Sequence, residues 1–441
     1  MVKLGVLLLP SWLQSDSTYR PTSTKNIHTT SYLDGLKGLI SILVFVRHFS
    51  LPWQKHMDYG YGYENYYGIL RLPILRLMYA GPLVPMFFIV SGFVLSIKTF
   101  KLAQVAAHES LFLSLSKSTF RRAIRLFSPP IITTFFVMVL AQLGRFSFPY
   151  SDMPGRKPVH PVAESSFWLQ FIRWTKFVTD ELVNPWRWDV PRLEYGPHLW
   201  TIPISYKGSL VVFLLCLMLA RVRPNVRLCI LCGQMAYALM QGRWDMAPFI
   251  AGMVLSQLAL FRSADTLPQS KNTKNHHSLG YLGDILDFLL LLLGLYIGSF
   301  PRHNQVTDCV SDYRFLCAIT PNYRYWHDIA AFNIIWALSR QRHLQVPLRS
   351  ATAQYFGKIS FSMYLIHEPM LHVFGYFTVP FFWKFTGTDS VFQYQLGFGF
   401  GMVVTGLVLI WLSDIFKRTV EDACESFTTW VEKACFTSPS M

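Results

Sequence analysis

The sequence predicts an all-α, polytopic integral membrane protein of about ten transmembrane helices. Three observations carry that reading. Of 441 residues, 52% are hydrophobic and only 15% charged, against about 25% charged in ordinary soluble domains. The apolar residues gather into long runs along the whole chain, near the ~20 residues that a spanning helix needs. The basic residues concentrate in alternate segments between those runs, the pattern of cytosolic loops.

The runs fall at 33–52, 79–98, 127–145, 199–220, 226–241, 244–261, 281–299, 325–341, 352–378 and 395–416. The fifth and eighth are the weakest, being short or interrupted. Lys98, Lys101, Lys117, Arg121, Arg122 and Arg125 follow the second run. Arg221, Arg223 and Arg227 follow the fourth, and Arg262, Lys271 and Lys274 the sixth. Arg340, Arg342 and Arg349 follow the eighth, and Lys417 and Arg418 the tenth. These loops are assigned to the cytosol, which puts both termini there. The expected organisation is a cytosolic tail over 1–30, a membrane domain over 31–416 and a cytosolic tail over 417–441. An endomembrane (ER) or the plasma membrane is the expected location. The lipid bilayer is the expected partner, and the net charge of +15 is assigned to cytosolic loops rather than to nucleic acid.

The first run, SYLDGLKGLISILVFVRHFS, contains an anomaly. At roughly 100° per residue, Asp34, Lys37, Ser41 and His48 fall on one stripe, and Lys37 and His48 lie about 16 Å apart along the axis. Ionisable residues at membrane depth are costly and mark a functional site by default. A buried neutral imidazole at His48 suits a general base for a hydroxyl, against the alternative of a structural histidine between helices. His367, in GKISFSMYLIHEPM, has the same standing, and the adjacent Glu368 and Pro369 predict an irregular helix there. Arg122 and Arg125, three apart on one helical face, suit a phosphorylated ligand bound by planar guanidiniums, or serve only as topology determinants. Seven cysteines give no disulfide scaffold. Cys309 and Cys317 share a non-cytosolic loop where a disulfide is permitted. The lone C-x-x-C at Cys229 and Cys232 gives no reason to expect a metal. The loop before residue 199 carries Trp168, Trp174, Trp186 and Trp188, which read as a lid or an interfacial aromatic belt.

Several motifs in order resemble the integral-membrane acyltransferase 3 family, over roughly residues 31–416. SYLDGLKGLISILVFVRHF is similar to the family's first helix, with its D-G-L-R-G start and Arg-x10-His pattern. FFIVSGFVLS, around Ser91, resembles the S-G-F motif. RRAIRLFSPP resembles R-x-x-R, and GPHLWTIPIS, with Trp200, resembles L-W-T-x-p-x-E. GKISFSMYLIHEP, with Tyr364 and His367, resembles S-x-Y-L-x-H-x-P. The aromatic loop and the turn at 243–249 look like the fungal branch.

The resemblance implies a membrane-bound O-acyltransferase, moving an acyl group, most simply acetyl, from coenzyme A to a hydroxyl of a secondary metabolite or sugar. It implies His48 as the catalytic residue, as base or as transient acyl carrier, with Lys37 sharing its motif. It implies Arg122 and Arg125 as contacts for acyl-CoA (acetyl-CoA), with no metal. Two positions depart from the pattern: Lys37 replaces the motif arginine, and Ser205 replaces the motif glutamate. Losing a carboxylate while weakening its cation keeps a buried site balanced, with Asp34 as the remaining partner for Lys37. The alternatives are an inactive homologue, or a small-molecule transporter, which intramembrane charges also fit.

Overall fold

The structure is a computed structural model that describes residues 10–11, 30–55, 57–63, 67–78, 81–187, 189, 193–265, 276–302 and 311–436. Among the described residues the regular elements are all helical. In chain order they are α1 (Ser31–Ser50), α2 (Leu83–Gln104), α3 (His108–Gln142), α4 (Phe167–Lys176), α5 (Thr201–Met218), α6 (Pro224–Met240), α7 (Ala247–Asp265), α8 (His276–Gly298), α9 (Arg314–Ile319), α10 (Tyr323–Arg340), α11 (Arg342–Leu348), α12 (Ala351–Met370), α13 (Tyr376–Thr386), α14 (Val391–Phe416) and α15 (Asp422–Cys435). Each predicted apolar run coincides with one of these, and the ninth is divided between α12 and α13. The C-terminal segment after α14 continues as helix through a π turn at Lys417–Glu421 into α15.

Four stretches among the described residues are long and apolar enough to cross a membrane: Leu83–Gln104, His108–Gln142, Pro197–Met218 and Val391–Cys435. The expectation of about ten is not carried by length and composition. The other predicted spans are shorter or more polar: α6 has 17 residues, and α1 carries Asp34, Lys37, Arg47 and His48. Apolar side chains such as Leu214 and Leu407 stand outward on α5 and α14, as lipid-facing positions do.

The chain divides into two compact units. Unit 1 comprises Met1–Lys55, Phe120–Pro203 and Pro347–Met441, and unit 2 comprises His56–Thr119 and Ile204–Val346. In unit 2, α2 packs on α7, and α8 on α10. Two buried charges there have named partners. Arg227 donates to the carbonyls of Leu219 (3.3 Å) and Val222 (3.0 Å) and to Gln257 (3.1 Å), closing the C-terminal end of α5. It is therefore a buried helix stop rather than a loop charge. Asp287 accepts from Arg340 at 2.6 Å and from the Trp336 indole at 3.1 Å. Cys317 is disulfide-bonded; Cys309, Lys271, Lys274 and Trp188 lie outside the described residues.

Unit 1 is organised by α1 against α12. A Cβ built on Gly38 would lie 2.6 Å from the amide nitrogen of Gly357. One built on Gly357 would lie 2.4 Å from the carbonyl oxygen of Asp34. Only hydrogen fits at either position, so the two backbones touch. The close approach is sealed by Phe45, Phe49, Ile359 and Met363 in one buried cluster with Leu371 and Phe398. α14 starts on a capping box, with Ser390 accepting from the Gln393 amide at 3.2 Å. α12 starts on Ser350, which accepts from the Ala353 amide. A bulky residue at the glycine contact must push the helices apart. Gly38→Val is expected to cost about 1–3 kcal/mol, read as a lowered unfolding midpoint of the detergent-solubilised protein.

Candidate active site

A proline lies just before the end of α12. Pro369 has no amide hydrogen, so the Leu365 carbonyl four residues earlier loses its helical donor. A π turn over Leu371–Gly375 follows at once, the kind of local insertion that recurs at functional sites. Into this end comes a short 3-10 turn, Pro197–Trp200, just ahead of α5. Its His198 is 3% exposed. The His198 Nδ1–H donates to the Glu368 carboxylate in a very short contact, and the His198 backbone N–H donates to the same oxygen at 3.1 Å. The other ring nitrogen, Nε2, faces the vacated Leu365 carbonyl at 3.3 Å. Tyr364 locks the turn from above: its hydroxyl donates to the His198 carbonyl and accepts from Thr201 at 2.6 Å.

His367 is the next side chain in the cluster. Its Nδ1 proton goes to the Tyr364 carbonyl at 2.8 Å, with Met363 at 3.3 Å. That leaves Nε2 as the lone-pair nitrogen. The residue is 1% exposed, and this nitrogen has no hydrogen-bond partner. The His367 ring sits edge-on to His198 at 4.6 Å and to His48 at 4.9 Å between centroids. His48, half-buried near the end of α1, therefore faces a buried His367–Glu368–His198 group. His48, His367 and Glu368 each offer one metal-ligand atom within 4.8 Å of the others. A tetrahedral zinc ion, with bonds near 2.05 Å, needs its ligands roughly 3.4 Å apart, so these three would have to draw in to hold one.

The other expected residues fall elsewhere. Lys37 pairs with Asp34 at 2.7 Å, both partly exposed, one end of α1 away from His48. Ser41 is buried, and its hydroxyl donates to the Gly38 carbonyl at 2.8 Å. Arg125 pairs with Glu425 at 3.1 Å, and the neighbouring Arg121 with Glu432 at 3.2 Å. Both carboxylates belong to α15. Arg122 lies one turn before Arg125 on α3. Trp200 closes the 3-10 turn. Ser91 and Ser205 belong to unit 2. The S-G-F motif has a packing reason there, because a Cβ on Gly92 would lie 2.0 Å from the Phe249 carbonyl oxygen. The Ser205 carbonyl accepts the Ser209 hydroxyl at 2.6 Å.

A second polar group lies beyond the π turn. His372 Nδ1 meets the Tyr150 hydroxyl at 2.6 Å, and Tyr150 stacks on His160 at 4.6 Å. The aromatic loop behind it is tied by Gln170, which accepts from the Glu164 amide at 2.7 Å and donates to the Tyr195 hydroxyl at 2.7 Å. Burial pushes the Tyr195 phenol up to about 12, so it stays a neutral hydrogen-bonding group. Glu164, with Glu194, holds the Arg173 guanidinium above its ordinary value. Trp174 donates to Thr134 at 3.2 Å, while Trp168 and Trp186 are 65% and 84% exposed.

Residues 30–414 match the family described as Acyltransferase domain. The chain belongs to this acyltransferase family. It is 28% identical over 438 residues to the O-acetyltransferase PaAT-1 of Phomopsis amygdali, covering 92% of this chain and 85% of the relative. It is 24% identical over 447 residues to acyltransferase clz18 of Cochliobolus lunatus, covering 89% and 93%. The same identity and coverage hold for acyltransferase R4 of a Phoma species. No solved structure matches. The acyltransferase assignment makes this protein an O-acyltransferase and associates its apolar helices with a membrane.

His198, Glu368 and Tyr364 form one hydrogen-bonded unit; the sequence marks Glu368 only as a sign of helix irregularity, and His198 not at all. His198 stands one residue before the L-W-T motif, with only the preceding Gly-Pro as a local sign of its turn. Tyr364→Phe removes the hydroxyl and strands two buried partners. It is expected to destabilise by about 1–3 kcal/mol, measured as a fall in unfolding midpoint.

Proposed function

We propose that this acyltransferase moves an acyl group, most simply acetyl, from coenzyme A to a hydroxyl of a secondary metabolite or sugar, with His48 as the general base. The observation that carries the reading is the packing of the His48 ring against the ring of His367, whose buried Nε2 has no hydrogen-bond partner. His48 takes the proton of the acceptor hydroxyl. The hydroxyl oxygen bonds to the thioester carbonyl carbon, the carbon–sulfur bond breaks, and His48 returns the proton to the leaving sulfur. The name O-acetyltransferase, carried by the Phomopsis relative, favours acetyl as the group and oxygen as its destination.

Arg122 and Arg125 are the proposed donor contacts, since guanidinium pairs suit the phosphates of coenzyme A. The Arg125 pair with Glu425 is exposed, and such pairs contribute about 0–1 kcal/mol, so a polyanion displaces it readily. The proposed topology has about ten spans with both termini cytosolic. The departures at Lys37 and Ser205 are compatible with activity, because Asp34 pairs with Lys37 and Glu368 supplies a buried carboxylate to the histidine group.

The test uses the full-length protein in lipid nanodiscs with labelled acetyl-CoA and a panel of terpenoid alcohols and alkyl glucosides. Free coenzyme A and one acetylated panel member are expected in equal amounts. Transport of a panel member without coenzyme A release would instead establish an exporter. His48→Ala is expected to lower kcat by about 10²–10⁴-fold. Arg125→Ala is expected to raise KM for acetyl-CoA about tenfold, the loss of one charge-assisted hydrogen bond of roughly 1.5 kcal/mol. A single turnover without acceptor is expected to leave His48 unlabelled; a trapped acyl-histidine would replace direct transfer by a covalent route.

A further inference from the structure

We infer that His367 is a positioning residue that orients His48, and that Glu368, pinned by His198, is the fixed anion that steadies the charge His48 gains during transfer. The inference rests on His48 acting as the base. A neutral imidazole base keeps its working nitrogen unprotonated and needs an acceptor for the proton on the other. In serine hydrolases a carboxylate supplies that acceptor. Here the group against His48 is another imidazole. Its own Nδ1 proton is committed to the Tyr364 carbonyl at 2.8 Å, so Nε2 can only accept. That nitrogen is buried and without a partner, a costly state unless something comes to fill it.

The two rings now meet edge-on, at 4.9 Å between centroids. Catalytic contacts are often this loose before substrate closes the site, and tighten afterwards. Glu368 follows His367 in the chain, and one of its carboxylate oxygens takes both the ring and backbone N–H of His198. It cannot swing away as charge develops. The titratable groups around this arrangement are Tyr364, His367 and Glu368 on α12, His372 on the π turn, Tyr376 on α13 and His198 on the 3-10 turn. Glu368 is the acid among them, so removing its charge must disfavour an imidazolium at His48. The balance of the step is unchanged. The acceptor's proton moves to His48 and then to sulfur, while His367 and Glu368 end as they began.

The experiment uses the nanodisc protein with acetyl-CoA and the best acceptor of the panel. His367→Leu is expected to lower kcat by about 10²–10³-fold, with KM for both substrates within about threefold. His367→Gln, which restores an acceptor atom, is expected to recover to within about tenfold of the parent. Glu368→Gln is expected to move the acid limb of the kcat/KM profile to lower pH, by about one unit. That direction follows because protonation of His48 switches the base off, and the variant protonates less easily. Equal losses in both His367 variants, together with lowered unfolding midpoints, would reduce the residue to packing. An acid limb that stays in place in Glu368→Gln would remove the anion's role. Stoichiometric zinc in the purified protein, absent from His367→Leu, would make the cluster a metal centre and overturn the inference. Activity surviving in His48→Ala sinks the underlying assignment of the base, and is read separately from all of these.

Discussion

The contact between α1 and α12 is the constraint on which the site depends. Gly38 and Gly357 leave no space for a methyl group between the helices. With the backbones this close, side chains further along α1 and α12 must meet across a narrow gap. His48 and His367 are the pair that meets there. A wider contact, filled by leucine-sized residues as in ordinary helix packing at 8–10 Å, would separate the rings. The glycines of the D-G-L-K-G and G-K-I-S segments thus set how closely His48 and His367 approach.

Much of the helical plan was legible because apolar length is a strong signal. Each apolar run has its helix, and the irregularity expected at Glu368 and Pro369 appears as the π turn that follows them. Whether every such helix crosses a membrane is a different matter. Ser41 and Arg47 on α1 and His327 and Asp328 on α10 are buried inside the fold, and this cannot be read from a hydropathy count. Arg227 shows the same limit. As a loop cation it was unremarkable, yet it is buried against the carbonyls at the end of α5.

The site was legible in part. His48 and His367 drew notice because a histidine in an apolar run is conspicuous. Tyr364 came with its motif. His198 did not, and Glu368 stood out only as a mark of helix irregularity, because their pairing is a contact between residues 170 positions apart. Nothing local distinguishes such a pair. The departure at Ser205 looked like the loss of a carboxylate from the chain's chemistry. The structure shows a carboxylate already present among the histidines, supplied by α12. Of the R-x-x-R arginines, Arg125 pairs with a carboxylate of α15, as does the neighbouring Arg121. That helix was expected only as a tail.

Pro369 has an effect well beyond its own turn. By lacking one hydrogen it leaves the Leu365 carbonyl without its helical donor, and the His198 ring moves into that place at 3.3 Å. A vacancy in one helix is filled by a side chain from another segment. Positions 198 and 369 therefore carry a shared free energy. An ordinary residue at 369 would satisfy Leu365 from within α12 and leave the imidazole competing for a seat already taken. The two positions make thermodynamic sense only as a pair.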